Sequence, residues 1–213
     1  MKFARESLPF VLPFVLAAVV ALVLRHPVVA AILAVLGFGV LLFFRDPKRH
    51  PPADPRAILA PADGLVTRID RISDPKVGPG EFERIVTFLS VFDVHVQKVP
   101  TDGRVIYAGL TPGKKEAAFK PDVDHVNEYF LSVVERANGD RVGIRQIAGL
   151  LARRVVCYLN AGDSVARSQA LGVIKFGSRV DLLVPAGYAV QVKKGDRVKN
   201  GETILALPPA GLP

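Results

Sequence analysis

A serine hydroxyl held against the carbonyl of the preceding residue can attack its own backbone, provided a base takes its proton and that residue tolerates strain. Gly177-Ser178 supplies the pair, within Lys175-Phe176-Gly177-Ser178-Arg179-Val180-Asp181-Leu182-Leu183-Val184-Pro185. Val180, Leu182 and Val184 alternate with Asp181 and Leu183 as along a half-buried strand, and a glycine inside such a run marks a bulge or a close backbone approach. Two readings follow from these residues: an ordinary bulge with a solvated serine, or a peptide bond that cleaves itself. A base separates them. His95 is one candidate, in Val91-Phe92-Asp93-Val94-His95-Val96-Gln97-Lys98-Val99-Pro100. On a strand it would share a face with Asp93, while Val94 and Val96 point the other way. A lone histidine there also occurs as a satisfied interior or surface side chain. Asp63 is a second polar candidate, in Pro61-Ala62-Asp63-Gly64, where Asp-Gly after Pro reads equally as a turn capped by its own aspartate.

The elements that must position these groups are short strands. Ile58 to Ala60, Gly64 to Ile69, Arg84 to Leu89, His95 to Val99, Gly103 to Ala108, Tyr129 to Glu135 and Arg141 to Ile147 are apolar runs punctuated by Gly, Pro and Asp. Strands at this spacing predict a mainly β fold, a β-rich sandwich or barrel. Only Ala148 to Arg154 carries a helical alternative. Gly162-Asp163-Ser164-Val165 recurs 33 residues later as Gly195-Asp196-Arg197-Val198. Each copy leads into an apolar strand, Ala170 to Ile174 and Thr203 to Leu207, so two similar hairpin units are expected to pack about a pseudo-twofold axis. The repeat resembles the lipoyl-like barrel-sandwich hybrid of biotinyl and lipoyl carrier domains, which present a lysine at a hairpin tip. Here Lys193-Lys194 belongs to the turn itself and Gly177-Ser178 lies between the copies, which favours a folding device over a carrier.

Before these strands stand two apolar runs of 17 residues, Leu8 to Leu24 and Val28 to Phe44, separated by Arg25-His26-Pro27. Each makes about 25 Å of helix against roughly 30 Å of hydrocarbon. The expected element is an N-terminal helical membrane hairpin over residues 1–45, spanning or re-entrant. No small-residue cleavage site separates the runs, which argues against a signal peptide. Lys2 and Arg5 before it and Arg45, Lys48 and Arg49 after it place both ends in the cytoplasm, although Arg25 at the tip opposes this and keeps a shallow monotopic insertion open. Residues 46–55, with four prolines, form a linker, and residues 56–213 the β-rich domain.

The chain of 213 residues is half hydrophobic and has a mean hydropathy of +0.30, enough for one domain and a lipid-facing part. Cys157 is its single cysteine, so no disulfide or thiolate metal site forms within one chain; it is expected as a small core residue. A net charge of +8 fits anionic partners, and the apolar hairpin favours anionic lipid. A nucleic-acid binder has only this charge in its favour, with 8% aromatic residues and no recognised motif.

Taken in order, Phe44-Arg45-Asp46-Pro47, Pro61-Ala62-Asp63-Gly64, Phe92-Asp93-Val94-His95-Val96, Gln146-Ile147-Ala148-Gly149-Leu150-Leu151-Ala152-Arg153-Arg154 and Phe176-Gly177-Ser178-Arg179-Val180-Asp181 resemble a phosphatidylserine decarboxylase proenzyme of the short, pyruvoyl-dependent form. The resemblance runs from about residue 45 to the end of the chain. It implies self-cleavage between Gly177 and Ser178, giving a β chain of residues 1–177 and an α chain of residues 178–213 that stay together as a heterodimer, possible further oligomers aside. It implies that His95, oriented by Asp63, activates the Ser178 hydroxyl. Attack on the Gly177 carbonyl gives an ester; elimination leaves dehydroalanine, which hydrolyses to a pyruvoyl group and ammonia. That ketone would hold phosphatidylserine as a Schiff base and accept the electrons released with carbon dioxide, giving phosphatidylethanolamine. The resemblance implies no pyridoxal phosphate, no metal and no nucleic-acid partner, with the catalytic domain at the cytoplasmic face of the cell membrane.

Two departures from the family pattern bear on the site. Longer-form members carry an extra histidine where this chain has Phe92-Asp93, which leaves the proton donor after decarboxylation between His95, serving twice, and Asp93. After Pro112-Gly113-Lys114 the connection is shorter and Tyr129 replaces an arginine, so His125 is either substrate-facing or a solvated loop histidine. Arg153, Arg154, Lys175 and Arg179 are basic candidates for the phosphodiester, or for anionic lipid or water. The competing readings are a membrane-tethered lipoyl-like adaptor without catalysis and a decarboxylase of archaetidylserine, since lipid tails leave no mark on these motifs.

Overall fold

The computed structural model describes residues 1–113, 127–149, 155–174 and 178–209. The chain divides into two compact units, residues 1–48 and 49–213. In the first, an apolar helix α1 (Leu8–Val23) and a second, α2 (Pro27–Phe43), pack against each other. Arg25 turns the chain with φ of 60°, and Pro27 opens α2 at a position where its missing N–H costs no hydrogen bond. Gly37 brings the helices close, because a Cβ there would lie 2.9 Å from the Cβ of Phe14. Short strands β1 (Lys2–Phe3) and β2 (Arg45–Asp46) pair across the open end of the hairpin. Leu16, Val19, Val23, Val28, Ile32 and Val35 are exposed along the outer faces. The helical stretch Arg5–Val23 is long and apolar enough to cross a membrane, whereas α2 falls short of that length.

The second unit is built of antiparallel strands: β3 (Ile58–Leu59), β4 (Gly64–Ser73), β5 (Glu81–Leu89), β6 (Val96–Lys98), β7 (Gly103–Thr111), β8 (Tyr129–Glu135), β9 (Arg141–Ala148), β10 (Val155–Cys157), β11 (Ser164–Val165), β12 (Ala170–Ile174), β13 (Ser178–Pro185), β14 (Ala189–Val190), β15 (Arg197–Val198) and β16 (Ile204–Leu207). Eight of them form one sheet curled into a half-barrel, in the order β11-β7-β8-β9-β13-β5-β4-β15; β10-β12-β6 and β14-β16-β3 form two smaller sheets. The fold is thus mainly β behind an apolar helical hairpin, as expected. Ala148 continues β9, and residues 150–154 of the helical alternative lie outside the described residues.

The pseudo-twofold relation extends well beyond the two Gly-Asp-x-Val hairpins. β3, β4, β5, β13, β14, β15 and β16 form one seven-stranded motif, and β6 to β12 form a second, inserted between β5 and β13 of the first. Reciprocal hydrogen bonds join them: Leu59 N donates to Pro100 O, and Lys98 N to Pro61 O, both at 2.9 Å. Each Gly-Asp-x-Val copy caps an edge of the large sheet, β11 on the start of β7 and β15 on the start of β4. Those starts are Pro61-Ala62-Asp63-Gly64 and Pro100-Thr101-Asp102-Gly103, a second internal repeat. Their glycines are required: a Cβ would meet Phe88 O at 2.2 Å for Gly64 and Glu135 O at 2.3 Å for Gly103, and both have φ above +150°.

β13 lies at the centre of the large sheet, bonded to β9 on one side and β5 on the other. It is not half-buried. Val180, Leu182 and Val184 enter the main core with Ile85, Leu89, Val142 and Ile144, and Leu183 joins a second cluster with Val77, Phe82, Leu131 and Val133 on the opposite face. Asp181, which gave the strand its amphipathic appearance, is fully buried and takes a two-pronged ion pair from Arg179 at 2.7 and 2.8 Å. Arg84 stands 3.8 Å from Asp181 and forks onto Asp70, so the buried charge is compensated across three strands.

Candidate functional site

Ser178 opens β13, and its backbone pairs with Leu89, the last residue of β5, and with Ala148, the last residue of β9. The nested topology produces this meeting: the inserted motif leaves the first one after Leu89 and returns to it before Ser178. His95 lies six residues beyond Leu89, at the entry to the insert, and is fully buried. The two residues singled out for nucleophile and base thus belong to the two crossings between the motifs. Gly177 lies outside the described residues.

β6 begins at Val96, so His95 and Asp93 stand in the connection before it and do not share a strand face. Asp93 closes a tight turn. Its N–H donates to Ser90 O at 3.0 Å, and its Oδ2 accepts from the N–H and the hydroxyl of Ser90 at 2.8 and 2.7 Å. Arg197, in the second Gly-Asp-x-Val copy, donates to the other carboxylate oxygen. With its carboxylate so engaged, Asp93 reaches His95 through the main chain: His95 Nδ1 lies 2.9 Å from the Asp93 carbonyl. A carbonyl only accepts, so Nδ1 carries the hydrogen, and in the neutral ring Nε2 holds the basic lone pair.

Asp63, the expected orienting partner, is engaged by Arg49 and Asn200. Its carboxylate accepts both bonds of Arg49 Nη2, at 2.8 and 2.9 Å, and the backbone N–H of Asn200 at 2.7 Å. The last bond belongs to the fold, because its pseudo-symmetric counterpart is present: Asp102 Oδ1 accepts from Arg167 N at 2.9 Å. Asp102 stands 57% exposed and Asp63 only 15%, so Asp63 alone makes its charge felt in a poorly solvated place. Asn200 carries the connection onward, donating from Nδ2 to Val96 O at 2.7 Å, one residue from His95.

A second polar chain approaches His95 from the large sheet. Gln97 Nε2 donates to His95 O at 2.7 Å, and Gln146 Nε2 donates to Gln97 Oε1 at 3.0 Å. Gly172 admits this contact, since a Cβ there would meet Gln146 Nε2 at 3.0 Å and Val156 O at 2.2 Å. In the sheet Gln146 and Thr87 flank Val180, two residues along from Ser178. Gln146 Oε1 and Thr87 Oγ1 are buried and have no hydrogen-bond partner among the described residues. Asn200, Gln97, Gln146 and Arg49 were not anticipated. Gln146 did carry a signal: it interrupts the core-facing alternation of Val142 and Ile144 with an amide.

The remaining candidates divide simply. Arg179 is 3% exposed and forked on Asp181, so it faces neither lipid nor water. Lys175, Arg153, Arg154 and His125 lie outside the described residues. Lys193 and Lys194 are exposed in the turn before β15. Cys157 is partly buried against Ser132 Oγ at 3.5 Å, and burial pushes its thiol pKa up. Among the described residues no group of three or more His, Cys, Asp and Glu is placed to hold a metal ion.

Comparison with known proteins gives this site a context. The family model described as phosphatidylserine decarboxylase matches residues 38–206. A protein of Erythrobacter litoralis described as phosphatidylserine decarboxylase proenzyme is 43% identical over 202 residues, which cover 89% of this chain and 81% of the relative. Proteins of the same description from Geobacter metallireducens and Symbiobacterium thermophilum are 40% and 41% identical, over 97% and 95% of this chain and 96% and 94% of their own lengths.

Proposed function

The chain belongs to the phosphatidylserine decarboxylase family and is a decarboxylase, and we propose that it converts phosphatidylserine to phosphatidylethanolamine with a pyruvoyl group made from its own Ser178. The observation that carries this reading is the register of Ser178 with Leu89, six residues before a buried histidine whose Nδ1 is committed to a carbonyl. In maturation His95 Nε2 takes the proton of the Ser178 hydroxyl, and the oxygen attacks the Gly177 carbonyl. The Gly177–Ser178 amide breaks as the ester forms, the freed nitrogen taking a proton. Removal of the Ser178 α-proton then expels the Gly177 carboxylate, and addition of water to the resulting enamine's imine form releases ammonia. Asp63 serves as a positioning residue, its charge held by Arg49 and its link to the strand after His95 made through Asn200.

The surroundings of Ser178 suit such a group. β13 is bonded on both sides, so a break before it leaves the new chain terminus in the sheet. When formed, the pyruvoyl group supplies a ketone that condenses with the substrate amine and takes up the electron pair released with carbon dioxide. His95 is the buried acid available to return a proton to the α-carbon. The products of cleavage, residues 1–177 and 178–213, act as one heterodimer, with the apolar hairpin in the cell membrane and the catalytic unit at its cytoplasmic face. Family membership sets the non-catalytic adaptor reading aside.

The test joins mass to activity. The purified chain is expected as two fragments, the smaller blocked at its first residue, releasing carbon dioxide from phosphatidylserine. Ser178→Ala and His95→Ala are expected to remain intact and inactive. Normal cleavage in His95→Ala would remove histidine from the role of base, and a native chain that stays uncleaved yet active would end the pyruvoyl reading.

A further inference from the structure

The turn that orients His95 also projects the most exposed large apolar side chain among the described residues. Phe92 is 83% exposed and Val91 beside it 52%, between Ser90 and Asp93. The base of this turn is locked. Three hydrogen bonds link Ser90 to Asp93, and Arg197 holds the outer oxygen of Asp93. Around the base the surface has a definite character. Arg197, with a side chain 66% exposed, pairs in register with Leu65, itself 37% exposed. An apolar tip beside a half-exposed leucine and an exposed guanidinium, itself paired with Asp93, matches a bilayer surface, where the tip enters the acyl boundary and the guanidinium stays at the level of the phosphates.

We propose that Val91-Phe92 is a wedge by which the catalytic unit itself docks on a lipid bilayer carrying anionic head groups. Two side chains are far too small for a stable protein interface, which needs about 800 Å² from each partner, but they suffice for a bilayer, which has no shape to match. Of the net charge of +8, the catalytic unit of residues 49–213 carries +5, which favours the same partner. The consequence for catalysis rests on the decarboxylase reading above: His95 follows Phe92 by three residues, so an inserted tip brings head groups to the entrance of the site.

The chain contains no tryptophan, so Phe92→Trp creates a unique fluorescent reporter at an exposed position. The full-length variant is reconstituted in phosphatidylcholine–phosphatidylglycerol vesicles with brominated acyl chains. The expected result is strong quenching by bromine and protection from aqueous iodide. Quenching by iodide with none by bromine, or protection from both, overturns the proposal: the first leaves the tip in water, the second buries it against protein. In a parallel experiment, full-length Val91→Asp is expected to lose about tenfold or more in kcat/KM on phosphatidylserine in vesicles and far less on a short-chain, monomeric phosphatidylserine. Equal loss on both substrates, or on neither, also counts against the wedge. If the unaltered protein decarboxylates neither substrate, it is the decarboxylase reading that fails, and bromine quenching still decides docking.

Discussion

His95 receives its geometry from three neighbours whose contributions are separable. The Asp93 carbonyl fixes the tautomer; Gln97 and Asn200 hold the two successive carbonyls of His95 and Val96. Asn200→Ala removes the Nδ2 bond to the buried Val96 carbonyl, which should lower stability by about 1 kcal/mol. Urea unfolding of the uncleavable Ser178→Ala background would measure that loss, and intact mass over time would show whether maturation slows with it. A destabilised Asn200→Ala that matures at the normal rate would mean that Asp63 does not act on His95 through this side chain. Gln146→Leu offers a complementary probe, since it breaks the amide chain from the sheet and orphans Gln97 Oε1. For Cys157, burial raises the thiol pKa, so little thiolate is present near neutral pH. Alkylation by iodoacetamide should therefore be slow in the native protein, accelerate only at pH values above those usual for a free thiol, and become fast in urea.

At the scale of elements, β13 combines the end proposed to react with an inert middle. Arg179 and Asp181 form a buried pair on one face while Val180 and Leu182 fill the core on the other. Removing one charge strands the other, which costs about 3–5 kcal/mol, whereas replacing both by apolar residues of similar volume is far milder. In the Ser178→Ala background, Asp181→Leu should shift the urea midpoint more than Arg179→Met with Asp181→Leu together. A double variant as damaged as the single one would show that Arg84 and Asp70 depend on the pair as well. Gly64→Ala and Gly103→Ala are expected to be equivalent and severe, because each places a methyl against a carbonyl oxygen of the next strand. Soluble expression of one but not the other would expose a limit to the pseudo-symmetry.

The unit of residues 49–213 is two intertwined copies of one motif, with Ser178 at their seam. The proposed cleavage before residue 178 would release β13 to β16 from the chain but not from the fold: β13 lies between β5 and β9, β15 pairs with β4, and β16 pairs with β3. The fragments should co-elute on gel filtration without denaturant and separate only in urea. Separation under native conditions would argue against a functional heterodimer. Deleting residues 1–44 should depress turnover of vesicle-borne phosphatidylserine far more than that of a short-chain analogue, since the deletion takes away apolar helices and leaves the site residues in place.

Much of this was readable from local pattern. The apolar runs of the hairpin, the strand-and-turn rhythm after residue 56, the Gly-Asp-x-Val repeat and the Gly-Ser pair are properties of neighbouring residues, and periodicity reports neighbours faithfully. The burial of β13 on both faces was not readable, because Asp181 counts as polar in any pattern until its arginine is seen beside it. The same holds for Asp63, whose partners Arg49 and Asn200 lie 14 and 137 residues away. By itself the chain determined which residues could react and what kind of fold would hold them. Only the tertiary structure decided that residues 89 and 178 lie side by side: one seven-stranded motif is inserted into another, so the strands before and after the insert meet at their ends. No local pattern records that closure, which arises from long-range strand pairing in the completed sheet.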